Sequence, residues 1–172
     1  PYVVLNDHLP HAALAKGKKP PRLTGQALKS GRSPEAHLAL LKELHDQSEA
    51  VSSALPGLAG RLKSKGVRLG AHDNETAVQV RGFHEMGASI GEFPVTRPAV
   101  QAHRDLGAPV VLGSPNVVRG GSHSGRLSAS ELVADGLCDA LASDYHYPAM
   151  KQAVFRLVDD GVVSLETAWA LV

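Results

Sequence analysis

Polar and titratable side chains follow five short apolar segments of this 172-residue chain, each at the point where the segment ends. They occupy positions 6–8, 72–75, 92, 114–125 and 143–146. If the apolar segments are parallel strands, these ends share one rim and the side chains converge there. Grouped His, Asp and Glu side chains are costly to bury unless they pair or bind a cation. Because imidazole and carboxylate are the usual ligands of catalytic zinc, the pattern predicts a divalent-metal site, with zinc as the expected ion.

Each of these positions also has a simpler interpretation. Asp73 and Asn74 would be able to cap a following helix, and so would Asp144. Glu92 would be an ordinary turn residue. Four such positions in phase with five strands nevertheless favour one shared active site over four unrelated roles. His11 is left open, and the histidines within predicted helices are interpreted as surface or packing residues: His37, His45, His84 and His103.

The segment 113–125 combines glycines at positions 113, 120, 121 and 125 with Arg119 and several hydroxyl side chains. Flexible glycine backbone lets amide N–H groups approach phosphate oxygens, and an arginine adds charge-assisted hydrogen bonds. Neither the Walker spacing nor the dinucleotide fingerprint is present. Mobile glycine loops are common, so this segment supports a phosphate site only together with the strand-end groups.

The elements that would position these groups alternate between strand and helix. Strands are predicted at 2–5, 67–71, 88–92, 109–113 and 139–143, because each is short and apolar. Helices are predicted at 37–53, 56–65, 74–86, 97–106, 128–136, 148–160 and 164–172. Five βα units in series predict an α/β protein with a parallel sheet. Positions 13–32 lack periodicity and are predicted to form a long loop over the carboxyl edge of the sheet.

Composition excludes several classes of partner. The net charge of +1 argues against a nucleic-acid surface, and the basic cluster at 16–22 is interpreted as a solvated loop or, alternatively, as a contact for a polyanionic substrate. No apolar run is long enough to span a membrane, and no signal peptide is visible. The single cysteine, Cys138, is interpreted as buried filler, and it fits a reducing compartment. A cytoplasmic protein is therefore expected.

Four stretches of the chain resemble the phosphonate-metabolism branch of the amidohydrolase superfamily. They are Gly-Ala-His-Asp-Asn-Glu-Thr at 70–76, Glu-Phe-Pro-Val-Thr at 92–96, Gly-Ser-Pro-Asn-Val-Val-Arg-Gly-Gly-Ser-His-Ser-Gly at 113–125, and Ser-Asp-Tyr at 143–145. The resemblance implies a metal-dependent (β/α)8 barrel (TIM barrel) and makes the five predicted strands its fourth to eighth. It implies that residues 1–172 are the C-terminal portion of that barrel, without a second domain.

The resemblance also implies roles for individual residues. His72 is expected as a metal ligand with a catalytic role, and Asp144 as a metal-bound carboxylate that receives a proton from water. His8 is a further expected ligand, and Glu92 stands where many members have a histidine ligand. Phosphate oxygens of the substrate are expected at Asn116, Arg119, Ser122 and His123. The implied activity is that of a diphosphatase: hydrolysis of a phosphoanhydride bond in the triphosphate of a phosphorylated sugar phosphonate, with release of pyrophosphate.

The chain departs from the superfamily pattern in one respect that matters. No His-X-His triplet occurs in its 172 residues, and no segments corresponding to strands one to three are found. The chain is therefore expected to be a fragment, inactive alone, or a chain that another chain completes. Two alternatives stay open: an amidohydrolase acting on a C–N bond, and a noncatalytic half-barrel that binds a phosphorylated ligand or a partner chain. Homo-oligomers or complexes with other phosphonate-pathway enzymes are further possible assemblies; nucleic acid and membrane are not expected partners.

Overall fold

Five β-strands form one parallel sheet in a computed structural model that describes residues 1–120 and 127–172. The strands are β1 (Tyr2–Leu5), β2 (Arg68–His72), β3 (Ala88–Glu92), β4 (Val110–Gly113) and β5 (Ala140–Ala142). Their order in the sheet is their order along the chain, and every neighbouring pair is parallel. The predicted α/β class and parallel sheet are confirmed, and the order is one that a portion of a (β/α)8 barrel also has.

Ten helices lie in the described part of the chain; eight of them connect one strand to the next, and two follow the last strand. They are α1 (His11–Leu14), α2 (Leu23–Lys29), α3 (Pro34–Asp46), α4 (Ser48–Ser64), α5 (Ala77–Glu85), α6 (Arg97–Asp105), α7 (Ser114–Arg119), α8 (Ala129–Ala134), α9 (Ala149–Asp159) and α10 (Leu165–Ala170). None of the described helices has both the length and the apolar character that crossing a membrane requires.

The chain divides into two units, one made of Pro1–Asn6 and Ala59–Val172 and the other of Asp7–Leu58. The first unit contains the whole sheet. Its largest core cluster gathers apolar residues of β4, β5 and the helices after them, among them Val110, Leu132 and Leu157. A smaller cluster joins β2 and β3 to the end of α4. The prediction of a single barrel portion over 1–172 stays a prediction.

The second unit corrects the predicted loop at 13–32. This segment contains the end of α1 and all of α2, and Leu14 and Leu23 pack with Leu41 of α3 in one buried cluster. Within α2, Leu23 and Ala27 are buried four residues apart, which is the spacing of one helical face. The helix was missed because lysines, glycines and prolines surround this short apolar face.

Two helix boundaries also differ from the sequence prediction. Pro56 was predicted to begin a helix, but it lies inside the 17-residue helix α4. The predicted helix 37–53 ends instead at Asp46, and α4 begins two residues later.

The predicted glycine loop after β4 begins as a helix, because Pro115 occupies the first turn of α7 and Gly120 ends it in the left-handed conformation.

Candidate active site

His72 is the last residue of β2, and Glu92 is the last residue of the neighbouring strand β3. The two residues are paired in the parallel ladder of β2 and β3. The imidazole Nε2 lies 3.8 Å from Glu92 Oε2, and the two side chains are 15% and 20% exposed. The structure thus brings together two of the predicted metal ligands at the carboxyl edge of the sheet.

Asp73 adds a carboxylate on the other side of the His72 ring. Its Oδ2 lies 3.2 Å from His72 Nδ1. The contact with Asp73 raises the pKa of His72, burial opposes the increase, and the charges of Glu92 and Asp144 add to it. The ring therefore lies among three carboxylates, and a positive charge at this place is stabilised.

Burial and neighbouring charges also shift the pKa of Glu92. Burial raises the pKa of Glu92, and the charges of Asp144 and Asp73 raise it further, while His72 lowers it. Asp144 follows β5, two strands away from β3 in the sheet order, yet it acts on both Glu92 and His72. Three predicted site residues of the first unit thus share one electrostatic cluster.

Three residues at the strand ends have a left-handed backbone, which only glycine adopts without cost. Asp73 has φ 55°, Phe93 has φ 53° and Asp144 has φ 51°. Such strain is concentrated at functional sites, where the surrounding structure holds it in place. Phe93 is the clearest case because a bulky side chain has no local hydrogen bond to offset the strain, and its ring makes an edge contact with His72 at 5.1 Å between centroids. The sequence did not predict this feature, because phenylalanine gives no indication of a left-handed backbone.

Backbone hydrogen bonds tie the loop after β2 to the loop after β3. The Asp73 N–H donates to the Glu92 carbonyl at 3.0 Å, and the Val95 N–H donates to the Asn74 carbonyl at 2.9 Å. Glu75 accepts at its carbonyl from the Thr96 hydroxyl at 2.6 Å. These bonds hold the residues after His72 and after Glu92 in a fixed relation.

The helix after the first of these loops is capped by a residue other than those predicted. Thr76 is the N-cap of α5, and it forms a capping box with Gln79. The interpretation of Asp73 or Asn74 as the cap is therefore wrong for α5. Both residues lie upstream of the cap, and the side chain of Asp73 contacts His72.

A buried hydrogen bond supports the His72 loop from within the fold. Asn74 is 3% exposed and His103 of α6 is 2% exposed, and His103 Nε2 lies 3.1 Å from Asn74 Oδ1. A carboxamide oxygen only accepts hydrogen bonds, so His103 donates through Nε2. Burial lowers the pKa of His103, and the charge of His84 lowers it further. The sequence interpretation of His103 as a packing residue is incomplete, because the ring also fixes the loop that carries His72.

Two of the four predicted phosphate-binding residues, Asn116 and Arg119, lie in the described part of the chain. Arg119, the last residue of α7, donates from Nη1 to the hydroxyl of Tyr145, next to Asp144. Asn116 uses its carboxamide to hold backbone, donating to the Leu127 carbonyl at 3.1 Å and accepting from the Ala129 N–H at 3.0 Å. A part for Asn116 in substrate binding stays a prediction. Ser122 and His123 lie outside the described residues.

His8 belongs to the second unit, just beyond the end of β1. Its role as a metal ligand stays a prediction. Tyr145 is a residue that the sequence analysis did not assign, although it stands in the Ser-Asp-Tyr stretch; its contact with Arg119 required the fold, since 26 positions separate the two residues.

The strand-end cluster has the donor chemistry of a divalent-metal site. It offers one imidazole and the carboxylates of Glu92, Asp144 and Asp73, the ligand types that bind zinc and related ions. The 3.8 Å between His72 Nε2 and Glu92 Oε2 is a separation that two ligands of one ion are able to have. The residues therefore fit such an ion.

Comparison with known proteins supplies one relative. Over 103 residues the chain is 44% identical to alpha-D-ribose 1-methylphosphonate 5-triphosphate diphosphatase of Escherichia coli strain K12. The match covers 60% of this chain and 27% of that enzyme's length. No family model matches the chain, and no solved structure matches it. The similarity confirms the resemblance to phosphonate-metabolism enzymes that the motifs indicated.

Proposed function

We propose that this chain supplies the catalytic rim of a metal-dependent hydrolase of phosphonate catabolism, built on an amidohydrolase-type (β/α)8 barrel. The proposed reaction of the complete enzyme converts alpha-D-ribose 1-methylphosphonate 5-triphosphate to the 5-phosphate and pyrophosphate. The observation that carries the proposal is the pairing of His72 and Glu92 at the carboxyl edge of the sheet, with 3.8 Å between Nε2 and Oε2. The charge of Asp144 acts on both residues. The similarity to the Escherichia coli diphosphatase supports the substrate class.

His72 and Glu92 would hold the divalent ion, for which zinc is the proposed identity, and Asp144 would complete this chain's share of the ligands. When bound, such an ion makes water a stronger acid and supplies positive charge near phosphate oxygens. His8 stays a predicted ligand. The complete enzyme would add the ligands that this chain lacks.

This chain's own residues would perform the remaining tasks. Asp144 is exposed, and its carboxylate would accept the proton that the attacking water loses. As the water oxygen bonds to phosphorus, the anhydride P–O bond breaks and pyrophosphate leaves. Arg119, oriented by Tyr145 beside Asp144, would stabilise the charge that develops on the phosphate oxygens. Ser122 and His123 are proposed as further phosphate contacts.

The test measures pyrophosphate release by the complete enzyme with the ribose methylphosphonate triphosphate as substrate. Asp144→Asn should lower kcat by roughly 10²- to 10⁴-fold, the usual contribution of a general base. Asp159→Asn, which changes an exposed acid on α9, is the matched control and should leave kcat unchanged. Turnover of a cyclic amide without pyrophosphate release would reject the proposed reaction in favour of C–N hydrolysis.

A binding experiment on the present chain separates catalysis from mere ligand binding. Zinc should bind the unaltered chain and bind more weakly to His72→Ala and Glu92→Gln, as measured by calorimetric titration. Unchanged zinc affinity in both variants, with an unchanged circular dichroism spectrum, would contradict the metal assignment. A folded chain that binds inorganic phosphate but no zinc would favour a noncatalytic half-barrel.

A further inference from the structure

Three side chains of the second unit form a continuous chain of contacts that the proposed catalysis does not use. His11 Nε2 lies 2.8 Å from Asp7 Oδ2, and His11 Nδ1 lies 2.7 Å from His45 Nδ1. The two rings are tilted by 53° with centroids 5.0 Å apart, so they meet through nitrogen atoms and do not stack. Both rings are half-buried.

The Asp7 contact decides which nitrogen of His11 carries the proton. An ionised carboxylate only accepts hydrogen bonds, so His11 Nε2 must be the donor. In the neutral ring Nδ1 then presents a lone pair, and it presents that lone pair to His45. Two facing Nδ1 atoms at 2.7 Å repel unless a proton or a metal cation lies between them.

A carboxylate that fixes one ring nitrogen while the other coordinates is the usual arrangement behind a metal-binding histidine. Zinc–nitrogen bonds of about 2.0–2.1 Å place two ligands of a tetrahedral ion roughly 3.4 Å apart. The two Nδ1 atoms would therefore have to separate by some tenths of an ångström. His11, whose side chain is 36% exposed, has the freedom to turn by that amount.

The local fold holds the two histidines in place. His11 begins α1, and His45 lies in the last turn of α3. Leu14, three residues after His11, packs with Leu41, four residues before His45, in the buried cluster of this unit. The apolar contact therefore fixes the two helices at the level where the imidazoles meet.

We propose that His11 and His45 form a separate transition-metal site, with both Nδ1 atoms as ligands and Asp7 as the hydrogen-bond partner that fixes the His11 tautomer. Two imidazole ligands suit zinc, nickel or copper ions, and the remaining coordination positions are open to water or an anionic ligand. The site is built wholly from residues of the second unit. It does not depend on the proposed diphosphatase reaction.

The test uses the full chain carrying His72→Ala and Asp144→Asn, which removes two of the proposed catalytic ligands. Calorimetric titration should still detect one zinc ion. His11→Ala or His45→Ala in this background should weaken zinc binding at least about ten-fold, and Asp7→Asn roughly 10- to 100-fold, the range for partners behind a ligating histidine. His37→Ala changes another histidine of α3 and should leave the affinity unchanged.

A measurement on the unaltered chain removes any dependence on how the variants fold. Long-range ¹H–¹⁵N NMR should show zinc shifting the Nδ1 resonances of His11 and His45, while Nε2 of His11 and both nitrogens of His37 stay in place. Zinc that leaves both Nδ1 resonances unchanged would overturn the proposal and assign the contact to a proton shared by the rings. Retained affinity in His11→Ala and His45→Ala would overturn it as well.

Discussion

Replacing Gly91 with alanine should break the internal support of the His72 loop. Gly91 lies in β3, directly before Glu92. A Cβ atom built on it would approach His103 Cδ2 and Nε2 at 2.6 Å, closer than real Cβ contacts occur. The obstacle is a buried, rigid ring held by Asn74, so the imidazole cannot move aside as a flexible chain end would.

The cost has two parts. Inserting a methyl group into a filled interior typically costs about 1–3 kcal/mol. If the ring moves and loses Asn74 Oδ1, a further 0.5–1.5 kcal/mol, roughly, is lost with the hydrogen bond. Gly91→Ala should therefore lower the free energy of unfolding by about 2–4 kcal/mol, a large share of the roughly 5–15 kcal/mol that a domain has.

Urea unfolding followed by circular dichroism measures this loss. Gly82→Ala is the matched control, because Gly82 lies within α5 and nothing lies within 4 Å of the position where its Cβ would be. Alanine there should stabilise the chain by about 0.5–1 kcal/mol, since glycine is a poor helix former. Removing the ring should also reduce the penalty, so Gly91→Ala should cost less in a His103→Ala background than in the unaltered chain.

A result of equal stability for Gly91→Ala and the unaltered chain would refute the reasoning. So would an undiminished penalty in the His103→Ala background, because the clash would then lie elsewhere. The unfolding m-value should not change, as a changed slope would point to an altered denatured state.

Three further predictions concern the same unit. Phe93→Gly should have a free energy of unfolding about 1 kcal/mol higher than that of Phe93→Ala in urea, because glycine adopts the left-handed backbone without strain. A lower free energy for Phe93→Gly would exclude strain at this position. The pKa of His103 is lowered in the folded state, so the unfolded chain takes up more protons as pH falls below 6.5. His72, whose pKa is raised, acts in the opposite direction, so the effect of His103 is measured as a difference between two chains. As the pH falls through that window, the unaltered chain should lose stability relative to His103→Gln; an unchanged difference would contradict this. Asp139→Ala should cost more than Asp135→Ala in thermal unfolding, because Asp139 also accepts from the part-buried Val110 N–H at 2.7 Å; equal losses would refute it.

The sheet was predictable because its strands carry their own signal. A parallel strand covered on both faces is a short apolar run, and the structure begins β1 and β3 at the residues predicted. The polar residues after each run could be placed on one rim by topology alone. That rule located His72, Glu92 and Asp144 without any knowledge of side-chain contacts.

The missed features depend on contacts between distant positions. His103 differs in no local way from His37 or His84, and only the fold brings it to Asn74, 29 positions earlier. The helix α2 was hidden because its buried face is short and its flanks are rich in glycine, proline and lysine. In each case a tertiary contact decided what the local pattern left open.

The charge of the strand-end cluster gives the physical ground for the metal proposal. One imidazole lies near three carboxylates, so even a protonated His72 leaves the group with an excess of negative charge. In a partly buried place such an excess is expensive, and the protein has two ways to reduce it: protonation of a carboxylate or binding of a cation. Burial raises the pKa of Glu92, and the charges of Asp144 and Asp73 raise it further, which favours protonation of this carboxylate. A divalent ion would remove the need for that proton, and zinc affinity should therefore fall as the pH decreases and Glu92 becomes protonated.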